Sequence, residues 1–219
     1  MRKDFFSTGN KKYKHYGRKL LTFGLPAHRS RSGLFTCPGA GKCIIGCYAQ
    51  QGWYRSSRVR DVQEERLKLA RSGEKMVDTL HAELCRRKPK FVRIHDSGDF
   101  FDSEYLERWI KLALMHPEMT FFTYSKMVPM IMARTNAPSN LWHPMPPNLY
   151  IVLSEGGIWD HLINQDQDLF ARVFKNNNQL RRAGFVNGGT DDLKLILKGH
   201  KKIGLVYHGY NNRRFDTSH

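Results

Sequence analysis

Apolar residues recur along this chain in two alternating rhythms. Short runs, unbroken or of period two, read as strands, and apolar positions spaced three and four apart read as helices. Residues 20–25 form a first apolar run. Over 58–72, Val62, Leu67, Leu69 and Ala70 trace one helical face among charges. Met76, Val77, Leu80 and Leu84 do the same over Glu74–Arg87, and Pro89 closes that helix. A strand is predicted at 91–95 and a helix at 103–116, with Ser103 as N-cap and Leu106, Trp109, Ile110, Ala113 and Leu114 on one face. A strand at 120–124, a short helix at 127–134 and a strand at 149–153 follow, the last after a loop carrying Pro144, Pro146 and Pro147. Strands at 171–174, 185–187 and 203–207, and a helix at 193–197, complete the pattern.

Strands alternating with helices imply right-handed βαβ units and a mainly parallel sheet. The expected class is α/β, as a partial or irregular TIM-like (β/α) barrel; a doubly wound open sheet is the alternative. The expected organisation is a basic, aromatic-dotted arm over 1–19 and one barrel-like domain over 20–219. In such folds function gathers where strands end. The strand ends here carry Asp96-Ser97-Gly98-Asp99, Ser125-Lys126, Ser154-Glu155-Gly156-Gly157, Asn187-Gly188-Gly189-Thr190 and His208-Gly209, which outline one rim.

Lys and Arg number 36 against 20 Asp and Glu, a formal charge of +16, which recruits polyanions. Nucleic acid is therefore a candidate partner through the basic surface, and Trp53-Tyr54-Arg55 with Arg58 and Arg60 is a stretch that can stack on and clamp a strand, or shield a neighbouring site. No apolar run approaches 18 residues, so no membrane partner is expected. No apolar stretch follows Met1-Arg2-Lys3, so a secretory signal is not expected either. The expected compartment is the reducing cytoplasm, where cysteines serve as metal ligands or free thiols more often than as disulfides.

Three of the four cysteines, Cys37, Cys43 and Cys47, fall within eleven residues of a Gly-rich loop over 36–49. The spacing is C-x5-C-x3-C. It lacks the C-x2-C pairs of zinc knuckles and differs from both ferredoxin spacings. It suits three irons of a cube, while zinc and unmetallated thiols remain open. Cys85, on an apolar helical face, reads as a small core residue. Strand alternation puts Arg93 and His95 on one face, pointing inward, with Asp96 and Asp99 just beyond. Arg93, His95, Ser97, Lys126 and Glu155 are candidate ligand-binding or supporting residues. His116, His143 and His208 read as surface or structural, and Asn187-Gly188-Gly189-Thr190-Asp191 has the look of an anion nest.

Thr36-Cys37-Pro38-Gly39-Ala40, Cys47-Tyr48-Ala49 and His95-Asp96-Ser97-Gly98-Asp99 together resemble the phage gene product 88 family, a divergent relative of radical S-adenosylmethionine proteins. The resemblance covers about residues 30–125. It implies a 4Fe–4S cluster on Cys37, Cys43 and Cys47 in a partial TIM barrel; a cluster closed by a fourth protein ligand favours a redox role in electron transfer or sensing, with a redox partner. It also aligns Ser97-Gly98-Asp99-Phe100 with the Gly-Gly-Glu-Pro motif beside the cluster of those enzymes. The triad is wider than their C-x3-C-x2-C, and the motif's proline and second glycine are missing, which argues against bound S-adenosylmethionine. Asp99 then becomes the expected fourth metal ligand, with Asp96 as its alternative. Two other functions stay open: a radical S-adenosylmethionine-type enzyme acting on nucleic acid or nucleotide, and a zinc-stabilised nucleic-acid-binding protein. A phage-encoded chain would work in the host cytoplasm.

Overall fold

The computed structural model describes residues 4–8, 11–137 and 145–207. His143, Pro144 and the His208-Gly209 pair lie outside the described residues. In chain order the elements are β1 (Leu20–Thr22), α1 (Ser57–Ala70), α2 (Glu74–Arg87), β2 (Phe91–Arg93), α3 (Ser103–Met115), β3 (Thr120–Ser125), α4 (Val128–Thr135), β4 (Leu149–Ser154), β5 (Phe170–Phe174), α5 (Asn177–Arg182), β6 (Val186–Asn187), α6 (Asp192–Leu197) and β7 (Lys202–Val206). Among the described residues no helix is long and apolar enough to cross a membrane.

All seven strands are parallel and hydrogen-bond in the order β1-β2-β3-β4-β5-β7-β6. Five consecutive strands in sequence order wind in one direction, as in a barrel. A doubly wound sheet would reverse direction in its middle. The sheet curls into a half-barrel and does not close. Its irregularity is the last pair: β6 lies outside β7, which takes the place beside β5. The free edge of β1 is covered by the N-terminal segment, with Ser7 N–H donating to Thr22 O at 2.9 Å and Thr22 N–H to Ser7 O at 2.8 Å. That antiparallel bridge removes an open template for edge pairing.

Both faces of the sheet are buried, as parallel sheets require. One face, with Leu21, Val92 and Phe121, packs against Leu80, Leu84, Tyr105 and Trp109 from the helices. The other, with Leu20, Phe91, Phe122, Val152, Ala171 and Ile203, packs against Tyr13 of the arm and Leu193 and Ile196 of α6. Tyr13 is 2% exposed, so the described part of the basic arm lies on the sheet as a structural element.

Four local expectations are corrected, the first being Leu114, which is 41% exposed and does not share the buried face of α3. The N-cap of α3 is Asp102, whose Oδ1 accepts from Tyr105 N–H at 2.7 Å, and Ser103 starts the helix proper. Both residue types cap well, and the sequence offers them side by side. Val62 does not share the buried face of α1 and is 39% exposed. Gln63 and Arg66 are buried there instead, because Gln63 Nε2 donates to Ser97 Oγ at 2.9 Å and Arg66 Nε to Phe5 O at 2.6 Å. A helix that packs on polar loop backbone carries a buried polar face, which apolar periodicity does not reveal. Cys85 is exposed, not core. The short helix α5, capped by Asn176 Oδ1 accepting from Gln179 N–H at 3.0 Å, has too few apolar residues to show a period.

Candidate metal centre at the strand ends

The cysteine loop lies across the C-terminal ends of β2, β3 and β4. Gly41 N–H and Cys43 N–H both donate to Gly156 O, at 3.1 and 3.0 Å, and Ile158 N–H returns to Gly39 O at 3.1 Å. Close backbone contact explains the glycines. A Cβ on Gly39 would stand 2.5 Å from the Lys126 carbonyl oxygen, and one on Gly157 would stand 2.7 Å from the Gly39 oxygen. Neither neighbour is a flexible side chain, so only glycine fits. On the β2 side, Asp99 N–H donates to Thr36 O at 2.8 Å.

Within this frame Asp99 and Lys126 lie beside the cysteine loop. Cys37 interacts electrostatically with Asp99, Cys47 and Lys126, and Cys47 with Cys43 and Lys126. Burial, helped by the Asp99 carboxylate, pushes the Cys37 thiol up to about 12, and burial raises Cys47 as well. Such thiols ionise when a metal replaces the proton. The three sulfurs do not gather within 4.8 Å of one another; among the described residues, the group that does is His81, Cys85 and His116.

Asp99 is 4% exposed. Its Oδ1 accepts from Phe100 N–H and its Oδ2 from Lys126 N–H, each at 2.7 Å, and burial raises its pKa. The Ser125 hydroxyl also bonds this carboxylate, and three donors against about four lone-pair sites leave room for one further partner. Lys126 Nζ donates to Ser154 Oγ at 2.7 Å, which holds a cation beside the thiols. Asp96 faces another way. Its neighbours are Arg93, Arg66 and the Tyr54 hydroxyl at 3.4 Å, and its Oδ1 is buried without a partner against Gly24. A second unpartnered buried atom, His28 Nδ1, belongs to a residue whose N–H points at Cys37 Sγ, at 3.4 Å. No motif pointed to His28; its left-handed backbone, φ 62°, emerges only in the fold.

The remaining candidates separate. Arg93 lies on the sheet face under the arm, donating to His95 O at 3.1 Å and to the Tyr13 hydroxyl at 3.3 Å. His95 does not share that face, which corrects the alternation argument. β2 ends at Arg93, and the His95 ring turns to the helix layer, with Nδ1 3.2 Å from Thr123 Oγ1 and Nε2 3.1 Å from the Tyr105 hydroxyl. Ser97 Oγ donates to Leu25 O at 2.7 Å. Glu155 is ion-paired with Arg172, whose Nη2 reaches Oε1 at 2.7 Å. The glycine turn after β6 uses its own donors: Asn187 Oδ1 accepts from Gly189 N–H at 2.7 Å and Asp191 Oδ1 from Lys194 N–H at 3.1 Å. It is therefore not an open nest. Trp53 is 86% exposed, while the hydroxyl of Tyr48 donates to the Asp96 carbonyl. Beside the loop, Arg29, Arg31, Arg55 and Arg60 line a cleft of about 190 Å³.

Burial, reinforced by Arg93, lowers the pKa of His95 to about 3. An unfolded chain protonates this ring near 6.5, so acid favours unfolding and stability rises with pH between about 3 and 6.5. From pH 7 to pH 5 the ring accounts for a loss of about 2 kcal/mol. Urea unfolding of His95→Gln should show a correspondingly shallower loss than the parent chain; equal losses in the two would contradict this account.

A family model described as Gene product 88 matches residues 4–212. The Gene 88 protein of Mycobacterium phage L5 is 29% identical over 117 residues, which span 48% of this chain and 47% of that protein. The match thus takes in about half the length of the phage relative. No solved structure matches.

Proposed function

The chain belongs to the Gene product 88 family, and we propose that it is an iron–sulfur protein with a redox role, holding a 4Fe–4S cluster on Cys37, Cys43 and Cys47 with Asp99 as the oxygen donor to the fourth iron. The observation that carries this reading is the seating of the cysteine loop on the strand ends beside Asp99, whose N–H donates to Thr36 O and whose carboxylate accepts from Lys126 N–H. When bound, such a cluster supplies a one-electron redox centre. The spread of the three sulfurs suits a multi-atom centre better than one zinc ion, whose tetrahedron holds sulfurs about 3.8 Å apart. The Gly39–Gly157 contact presses the loop onto the scaffold and fixes the thiols in place. Lys126 offsets the negative charge of three thiolates and a carboxylate. His28 N–H donates to the Cys37 sulfur, a contact that favours the reduced state of such centres. The phage relative suggests a host-cytoplasmic setting.

The protein isolated without oxygen should absorb near 400 nm, bleach with dithionite and recover on reoxidation. A colourless protein would contradict the proposal. Asp99→Cys should retain the cluster and shift its midpoint potential by on the order of tens of millivolts, because a thiolate replaces a harder oxygen ligand. Unchanged spectra and potential would remove Asp99 from the ligand set.

A second reading, a radical S-adenosylmethionine-type enzyme on nucleic acid or nucleotide, is favoured by the arginine-lined cleft beside the loop. Among the described residues Arg55 and Arg60 form no ion pair, and both are available to phosphate. Adding S-adenosylmethionine to the reduced protein should then yield 5′-deoxyadenosine. If Asp99 closes the fourth iron, none forms.

A further inference from the structure

His81 and Cys85 stand four residues apart on α2, so both project from one helical face. His116, the residue that ends α3, meets them across the helix pair. His81 Nδ1 lies 3.0 Å from His116 Nε2, and Cys85 Sγ lies 3.6 Å from His81 Nε2 and 3.9 Å from His81 Nδ1. One ligand atom from each residue falls within 4.8 Å of the other two. α2 leads into the start of β2 and His116 into the start of β3. The trio therefore sits toward the strand starts, at the other end of the sheet from the cysteine loop.

We propose that His81, Cys85 and His116 form a zinc site that clips α2 to the end of α3. A tetrahedral zinc ion with bonds of about 2.0 Å to nitrogen and 2.3 Å to sulfur sets its ligands roughly 3.3 Å (N to N) and 3.6 Å (N to S) apart. With Nδ1 as the His81 ligand atom, the edges are 3.0 Å to His116 Nε2 and 3.9 Å to Cys85 Sγ, each within about 0.4 Å of these values, and all three ligand atoms lie within 4.8 Å of one another, so rotamer adjustments close the set. One thiolate and two imidazoles form a borderline donor set that favours zinc over calcium or magnesium. The supporting contacts fit a ligand. Glu118 Oε1 lies 3.4 Å from His116 Nδ1, which turns Nε2 toward the trio. Asn148 Nδ2 donates to the carbonyls of Ala113, His116 and Met119, at 2.9, 3.0 and 2.8 Å, and fixes the turn that carries His116. Cys85 is exposed, so the fourth position opens to water. On binding, zinc replaces the thiol proton, and the proton between the two imidazoles moves to the outer nitrogen of its own ring, so that one proton leaves per zinc bound. No residue of the proposed cluster site takes part.

The test is zinc-edge X-ray absorption on the full-length protein isolated without oxygen and given one equivalent of zinc, a measurement blind to iron. The expected first shell is one sulfur and two imidazole nitrogens with one light atom. Cys85→Ser, an exposed substitution that leaves the fold intact, should lower the zinc retained after gel filtration by one equivalent per chain. The parent chain's melting midpoint should rise by about 5–10 °C at zinc a hundredfold above Kd, and the variant's should not. A first shell of two or three sulfurs, equal zinc in both proteins, or no retained zinc would each overturn the proposal.

Discussion

Replacing Cys47 by serine lowers the iron bound per chain by about tenfold or more, and Cys37→Ser and Cys43→Ser do the same. Cys47 carries one of the three thiols of the loop, and losing it leaves two sulfur donors. The folded state survives, because the loop is held by backbone bonds from Gly41 and Cys43 to Gly156 and from Asp99 to Thr36, none of which uses sulfur. Iron analysis beside a far-ultraviolet dichroism spectrum separates the two effects. Full iron in any single variant would remove that cysteine from the site, and loss of fold together with iron would assign the loop a structural role instead.

Asp192→Ala destabilises the fold by about 3–5 kcal/mol, a fall of about 10 °C in the melting midpoint. Asp192 is 1% exposed and receives the hydroxyls of Tyr13 and Tyr124, each at 2.6 Å, and the Lys12 ammonium at 2.8 Å. Truncation leaves these donors facing a hole, beside the buried Arg93. Burial alone would push the Asp192 carboxyl up, but Lys12 and Arg93 outweigh it and hold the pKa below the usual carboxylate value. The contribution is therefore present above pH 3.8 and is lost as acidity passes through the lowered value. Chemical unfolding at neutral and acidic pH checks both points: the difference between parent and variant should shrink in acid. A difference under about 1 kcal/mol at pH 7 would mean the hub is solvated and unimportant.

The strands and long helices were legible because one face of each is apolar, and period alone then marks them. Residues 74–87 match α2 end to end, since Pro89 and the Gly73 turn bracket a clean apolar stripe. The one-way winding of β1 to β5 follows from the βαβ rhythm; the placement of β6 outside β7 does not, because β6 is two residues long and exposed. The composition of the arm left open whether it lies across the domain or free of it. Lys12 and Tyr13 look like solvated surface until Asp192, some 180 residues on, supplies their partner. At the site, Cys37, Cys43, Cys47, Asp99 and Lys126 could be gathered on one rim from the sequence because each follows the end of a strand or lies in the one cysteine loop. His95 could not be assigned correctly, since alternation ceases to apply once β2 stops at Arg93. His81 and Cys85 share a helical spacing, but their meeting with His116 depends on how α2 packs on α3.

The cluster itself is counted by iron and acid-labile sulfide analysis of protein isolated without oxygen. The result expected is about four of each per chain. Protein that carries neither, or that carries zinc alone, would contradict it.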